Sequence, residues 1–200
     1  MDAITLSYYG IKNVVALMGV VISSHQIEAI KKLNSKVILM LDSDNAGKQA
    51  TVKVGDELYK NGIDLYVTRL TKAKDPDEYV NAFGVEALRE NLKHAQKYLD
   101  FKLDYLKENK NLDSAEELTL YIKDVLASLK DADDLEKEVT ISKISKDYNI
   151  DIDILKKNIS FDSKKEVPKK EIIKKKKSRY ELASEQLIYS MLLKVVLLLL

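Results

Sequence analysis

The segment Leu41-Asp42-Ser43-Asp44-Asn45-Ala46-Gly47 sets two carboxylates one residue apart, with a glycine close behind. An Asp-x-Asp turn lets both side chains face one cation. Mg²⁺ favours such hard oxygen ligands, commonly one or two carboxylates completed by water and substrate phosphate. Gly47 gives the turn room to bend, and the helix N-terminus that follows attracts anions. A second acidic element, Lys74-Asp75-Pro76-Asp77-Glu78, lies further along the chain. If both loops leave parallel strands at the same sheet edge, Asp42, Asp44, Asp75 and Asp77 share one cluster. Carboxylates that crowded repel unless a cation neutralises them. The chemistry implied is divalent-metal phosphoryl transfer, with Asp42 and Asp44 as half of the site.

Plainer readings exist for each piece. Asp-x-Asp is commonly a solvated turn, and Asp-Pro-Asp-Glu is commonly a helix N-cap with acidic first-turn residues favoured by the dipole. An EF-hand is excluded, because Ala46 and Lys53 stand where its fifth and twelfth loop positions need Asp or Asn and Glu. A glycine-rich phosphate loop is absent, since Gly47-Lys48 runs into Gln49 with no earlier glycine at the right spacing. His25 and His94 stand alone on predicted helices and make poor ligands. Tyr98 and Tyr105 fall on one helical face, which reads as core rather than as base-stacking platforms.

The elements that would position these carboxylates alternate. Asp2 to Tyr9 reads as a short helix closed by Gly10. Asn13 to Met18 reads as a strand ending at Gly19. Ser23 and Gln26 form a capping-box pattern ahead of Ile27, Ile30 and Leu33 at helical spacing. Lys36 to Leu41 is a continuous apolar run of the kind buried on both faces in a parallel sheet. Ala46, Ala50, Val54 and Leu58 then recur at helical spacing until Asn61-Gly62, and Leu65 to Leu70 is the next strand. Strands alternating with helices predict a doubly wound α/β unit, whose ligands bind at the carboxyl ends of the strands. From Glu78 to Asn158 only helical periodicities follow, including Leu88, Leu92, Ala95 and Leu99, then Leu118, Ile122, Val125 and Leu129.

Composition bounds the rest. The chain has 200 residues, of which 46% are hydrophobic and 32% charged, a globular rather than disordered balance. There is no Cys, which excludes disulfides and Cys-based zinc sites. The N-terminus lacks the basic region of a secretion signal, so a cytoplasmic location is the default. Lysines crowd residues 164–178 with Pro168 among them, reading as a linker with weak, salt-sensitive attraction to phosphate backbones. The apolar stretch from Leu187 to Leu200 contains Lys194 and falls short of the roughly 20 residues that cross a bilayer, so no membrane partner is expected. It reads as the start of a helical unit.

The order Met1-Asp2-Ala3, Tyr9-Gly10-Ile11-Lys12-Asn13-Val14-Val15-Ala16, Gly19, Asp42-Ser43-Asp44-Asn45-Ala46-Gly47 and Asp75-Pro76-Asp77-Glu78 resembles the Toprim domain of bacterial DNA primases. The stretch after it is similar to the helical subdomain of those enzymes, including Glu136-Lys137-Glu138 leading to Lys146-Asp147-Tyr148-Asn149-Ile150. The resemblance implies a partial Toprim domain over 1–77, a helical subdomain of the polymerase core over 78–160, a Lys-rich linker over 161–178, and the truncated start of a helicase-binding domain over 179–200. The implied fold class is α/β, a partial doubly wound parallel sheet followed by an all-helical subdomain.

The implied activity is template-directed synthesis of short RNA primers. Asp42 and Asp44 would be catalytic, holding Mg²⁺ or Mn²⁺ against the incoming ribonucleoside triphosphate. Asp75 and Asp77 would assist, and Asp2 matches a further acidic position of the family. The implied partners are a single-stranded DNA template and, through the C-terminal domain, the replicative helicase. Two departures stand out. The family's Glu-Gly pair and zinc-binding module would lie ahead of Met1, so zinc is expected only in that absent module. Gly19-Val20 replaces the usual Gly-Thr. A sheet without its first interior strand would leave unpaired backbone groups, and the segment alone is expected to be an inactive fragment. The alternatives are another Toprim protein, a topoisomerase or nuclease, or a non-catalytic helicase-interaction module.

Overall fold

The computed structural model describes residues 2–17, 21–40, 42, 44–71, 73–108, 110–162 and 197–199. Its sheet has four short strands, β1 (Val37–Leu39), β2 (Leu65–Val67), β3 (Gln96–Lys97) and β4 (Leu197–Leu199), in the order β3-β2-β1-β4. β1 and β2 run parallel, Val37 beside Leu65, while β3 and β4 are antiparallel to their neighbours. The helices of this region are α1 (Asp2–Tyr8), α2 (Ser24–Leu33), α3 (Asn45–Lys60), α4 (Pro76–Lys93) and α5 (Tyr98–Lys107).

The apolar run of β1 is buried on both faces because its side chains alternate between two cores. Ile38 and Met40 join Ala3 and Leu6 of α1 and Tyr79, Val80, Leu88 and Leu92 of α4. Val37 and Leu39 face the other way, into Ile27 and Ile30 of α2, Val54 and Leu58 of α3, and Tyr98 and Phe101 of α5. This is the expected α/β architecture with helices on both sides, although the sheet is mixed rather than parallel throughout. Ser23 caps α2 through the reciprocal box with Gln26, as its spacing predicts.

Several expectations change. Residues 13–17 form no strand, and Met18 to Val20 lie outside the described residues, so the Asn13–Met18 strand does not form at the positions that can be seen. β3 interrupts the stretch read as wholly helical: α4 ends at Lys93, Leu88 and Leu92 belong to α4, Ala95 lies in the connection before β3, and Leu99 belongs to α5. α4 is itself kinked at Gly84, whose φ of 83° suits glycine. The chain forms two compact units, the sheet-bearing one running to Phe101. The reason is packing, since α4 and α5 bury their apolar faces on the sheet.

The second unit begins at Lys102 and contains α6 (Ala115–Ser128), the 3₁₀ turn Leu129–Asp131, α7 (Asp134–Tyr148) and α8 (Ile152–Asp162). Its buried residues include Tyr121, Val125, Leu129, Ile144 and Leu155. Asn149 ends α7 in the left-handed conformation at φ 50°. The segment read as linker contributes Phe161 and Asp162 to the end of α8, and residues 163–178 lie outside the described residues. Of the 179–200 segment only Leu197–Leu199 is described, and it is a strand rather than a helix. β4 covers the edge of β1 that was expected to stand unpaired.

Candidate metal centre

Asp42 leaves the carboxyl end of β1, three residues beyond Leu39. Asp44 is the N-cap of α3, and its Oδ1 accepts a 2.7 Å hydrogen bond from the Gly47 amide. Asp75 lies past the carboxyl end of β2 and caps α4, accepting from the Glu78 amide at 2.8 Å. Glu78 returns the favour: its Oε2 accepts from the Lys74 amide at 2.8 Å. Asp77 sits in the first turn of α4, and Asp2 in the first turn of α1. The packing of α1 against α4, through Ala3, Leu6, Tyr79 and Val80, carries Asp2 to the same edge.

The capping reading of Asp-Pro-Asp-Glu is therefore correct for Asp75, and Asp44, whose motif was read as a solvated turn, caps a helix as well. Capping does not compete with cation binding, because each cap uses one carboxylate oxygen and a carboxylate has two. The same loops also bring the carboxylates into one electrostatic field. Asp42 holds its proton more tightly than an ordinary aspartate through partial burial first, then through Asp44 and Asp75, with Lys74 opposing. Asp2 is shifted the same way by burial, with Asp75, Asp42 and Asp77 adding to the rise and the chain's amino terminus opposing it. Acidic groups from three separate places in the sequence thus raise the proton affinity of Asp2 and Asp42 at one sheet edge.

That donor set fits a hard divalent cation in charge and in chemistry, with carboxylate oxygens only. It does not form a closed cage: among the described residues no three acidic or imidazole groups are gathered as a ready metal site. The geometry suits an ion held by one or two protein oxygens, the remainder coming from water and phosphate.

Gly47 proves necessary for a reason other than turn flexibility. It lies inside α3, and a Cβ there would stand 2.0 Å from the Asp42 carbonyl oxygen. Its lack of a side chain lets the first turn of α3 seat directly on the Asp42 backbone and fix that residue. Sequence reasoning missed further positioning contacts. The Thr68 hydroxyl donates to Asn91 Oδ1, and Asn91 Nδ2 donates to the Arg69 carbonyl at 3.2 Å, so α4 holds the start of the loop that delivers Asp75. Gly55 admits the Tyr98 ring, which a Cβ would meet at 2.1 Å. The Tyr98 hydroxyl donates to the Val52 carbonyl at 3.0 Å and contacts Asp56 Oδ1 at 2.8 Å, clamping α3. Only the burial of Tyr98 was legible in advance. Gly19 and Val20 lie outside the described residues, so their departure from the family pattern has no structural counterpart here.

A family described as Toprim-like matches residues 1–80. A second, described as the DnaB-helicase binding domain of primase, matches residues 99–153. The DNA primase of Clostridium acetobutylicum is 37% identical over 145 residues, covering 72% of this chain and 24% of that protein. The chain matches a segment of bacterial DnaG-type primases. It spans about a quarter of the length of the curated relatives it matches. The fold agrees with a DNA primase domain from Pseudomonas aeruginosa at a TM-score of 0.68 and 21% identity, covering 80% of this chain and 51% of that one. A DnaG primase catalytic domain solved bound to ssDNA gives a TM-score of 0.63 at 20% identity, covering 76% and 50%. The helicase-binding description falls on residues 99–153, the helical stretch, rather than on the 179–200 segment where the sequence placed that role. Among the described residues no helix is long and apolar enough to cross a membrane.

Proposed function

We propose that this chain supplies the acidic half-site of a DNA primase, the part that holds a divalent cation beside an incoming ribonucleoside triphosphate during synthesis of RNA primers on single-stranded DNA. The observation that supports this reading is the placement of Asp42 and the α3 cap Asp44 past the carboxyl end of β1, and of the α4 cap Asp75 and first-turn Asp77 past that of the parallel β2. Asp42 and Asp44 would hold the ion, Mg²⁺ or Mn²⁺, while Asp75, Asp77 and Asp2 would keep the edge negative enough to retain it. A bound divalent ion stabilises negative charge on phosphate oxygens as the phosphoryl group is transferred. The protein's own contribution is placement: Gly47 seats Asp42 on α3, and Asn91 fixes the loop ahead of Asp75.

Because the segment spans about a quarter of the matched primases, we assign it part of a site and not a complete polymerase. Calorimetric titration with Mg²⁺ and with Mn²⁺ is expected to show binding that the double substitution Asp42→Asn, Asp44→Asn abolishes. A primer-synthesis assay on a single-stranded pyrimidine template is expected to give no RNA product from these residues alone. Undiminished metal binding in the double variant overturns the assignment, and abundant primer overturns the division of labour. A second reading follows from the match at residues 99–153: the helical unit contacts a replicative helicase. The same double variant is expected to leave helicase binding intact.

A further inference from the structure

The C-terminal leucines have no part in the carboxylate site, yet they enter the sheet. Val37, Ile38, Leu39 and Met40 are each no more than 2% exposed, so the β1 backbone lies where water does not satisfy it. A strand buried in this way requires hydrogen-bond partners along both edges. The Val37 amide donates to the Asp64 carbonyl at 2.9 Å, and the Thr68 amide donates to the Leu39 carbonyl at 3.0 Å. Val37 and Leu39 therefore turn their backbone groups toward β2. By strand alternation, Ile38 turns its amide and carbonyl to the opposite edge. Leu198 is paired with Ile38 on that edge, flanked by Leu199 beside Val37 and Leu197 beside Leu39.

Two features make this pairing separable from the rest of the fold. Among the described residues the ladder is three residue pairs long. Roughly 160 residues separate Leu39 from Leu197, so β4 pairs with β1 at long range and no tight hairpin turn ties the two strands together. Short, long-range pairings of this sort open more readily than a helix-packed core. Their position also matters, because β1 runs directly into Asp42, whose backbone seats α3 through Gly47. Fraying of β1 would reach that contact first.

We propose that the outer edge of β1 is a strand-docking site, that the chain's own Leu197–Leu199 segment is its exchangeable occupant, and that occupancy holds the Asp42–Asp44 turn in order. Docking in cis satisfies Ile38, and release leaves the same edge open to another extended strand. The apolar sequence suits the role, since an uninterrupted leucine run can enter an edge whose neighbour is buried on both faces.

Amide hydrogen exchange on the full chain tests this without reference to metal. Leu198→Pro removes the ladder donor opposite Ile38. It is expected to speed exchange at the Ile38 amide by about tenfold or more, to speed exchange at the Gly47 amide by a lesser factor, and to spare Val37, whose partner is in the Asp64–Val67 segment. Leu198→Ala, which keeps the backbone donor, is expected to preserve protection. A synthetic peptide of residues 194–200 with a solubilising tag, added to the proline variant, is expected to restore it. Unchanged Ile38 exchange in the proline variant overturns the docking site. An equal loss at Val37, Ile38 and Leu58 overturns exchangeability, because it shows the strand to be integral to the core. Protection that rises with protein concentration assigns the strand to a second copy and overturns docking in cis.

Discussion

Both compact units carry surface ion pairs, such as Arg89 with Glu86 and Lys93 with Glu90 on α4, but the sheet-bearing one also gathers aspartates. In the sheet-bearing unit, aspartates from α1, the β1–α3 loop and the β2–α4 loop face one another, and at Asp42 the repulsion from Asp44 and Asp75 outweighs the help from Lys74. In the helical unit, charges are matched: Lys110 meets Asp124 at 2.7 Å, Lys156 meets Glu138 at 2.8 Å, and Lys137 meets Asp134 at 3.6 Å. Lys107 also lies over the rings of Tyr121 and Tyr148, about 6 Å from each centroid. Burial, reinforced by Tyr148, holds the Tyr121 hydroxyl protonated well beyond the ordinary range. Matched charges need nothing from outside. Like charges collected by a fold gain from a counter-ion, and here Lys74 supplies part of that compensation.

Three changes would break or sharpen this contrast. The largest effect is expected at Gly47→Ala, where the new Cβ meets backbone rather than a movable side chain. Destabilisation of about 3 kcal/mol or failure to fold is expected, at the upper end for overpacked sites. Denaturant unfolding measures it; a loss under about 1 kcal/mol would show that α3 need not seat on Asp42.

A smaller effect concerns pH. Asp42 and Asp2 bind protons more tightly in the folded chain than in the unfolded one, so their favourable contribution is present at low pH and lost as pH rises through their raised values. Without metal, the wild-type chain should therefore lose melting temperature relative to Asp42→Asn as pH climbs from about 3 to about 7. Excess Mg²⁺ should close that gap at the upper end and leave the lower end unchanged. A wild-type chain that gains on the variant with rising pH would mean that Asp42 is stabilised by cations of the protein itself.

The smallest effect is expected in the helical unit. Glu138→Gln breaks an ion pair whose side chains are 57% and 43% exposed, and exposed pairs contribute roughly 0–1 kcal/mol. Thermal melts of the variant should nearly overlay the parent, and a large loss would show that matched charge carries more of this unit's stability than its apolar core.

The carboxylate motifs were readable because the decisive information is local: residue type, spacing of two, and position after an apolar run or before a helix. The capping roles of Asp44 and Asp75 follow from the same local rules. What was not readable depends on partners distant in sequence. Asn91 matters through Thr68 and Arg69, which lie 22 or more positions earlier in sequence. Gly55 matters through the Tyr98 ring, which a Cβ there would meet. The strand expected over residues 13–18 failed because β-branched residues report only that a segment is buried, and Val14 is buried in a core shared with α1 and α4 without pairing. The helical reading of the C-terminus failed at Leu197–Leu199 for a related reason: an uninterrupted apolar run carries no period, so its partner decides its conformation.

The sequence by itself determined the pair of acidic loops, the Val37–Leu39 strand, the capped helices and the resemblance to primases, all of which rest on neighbours within a few positions. Only the tertiary structure decided that Gly47 is there to let α3 approach the Asp42 backbone, and that β1 takes its second partner from the Leu197–Leu199 segment. Those are consequences of close packing and of backbone groups that must be paired when buried, and neither constraint is written in any short stretch of residues.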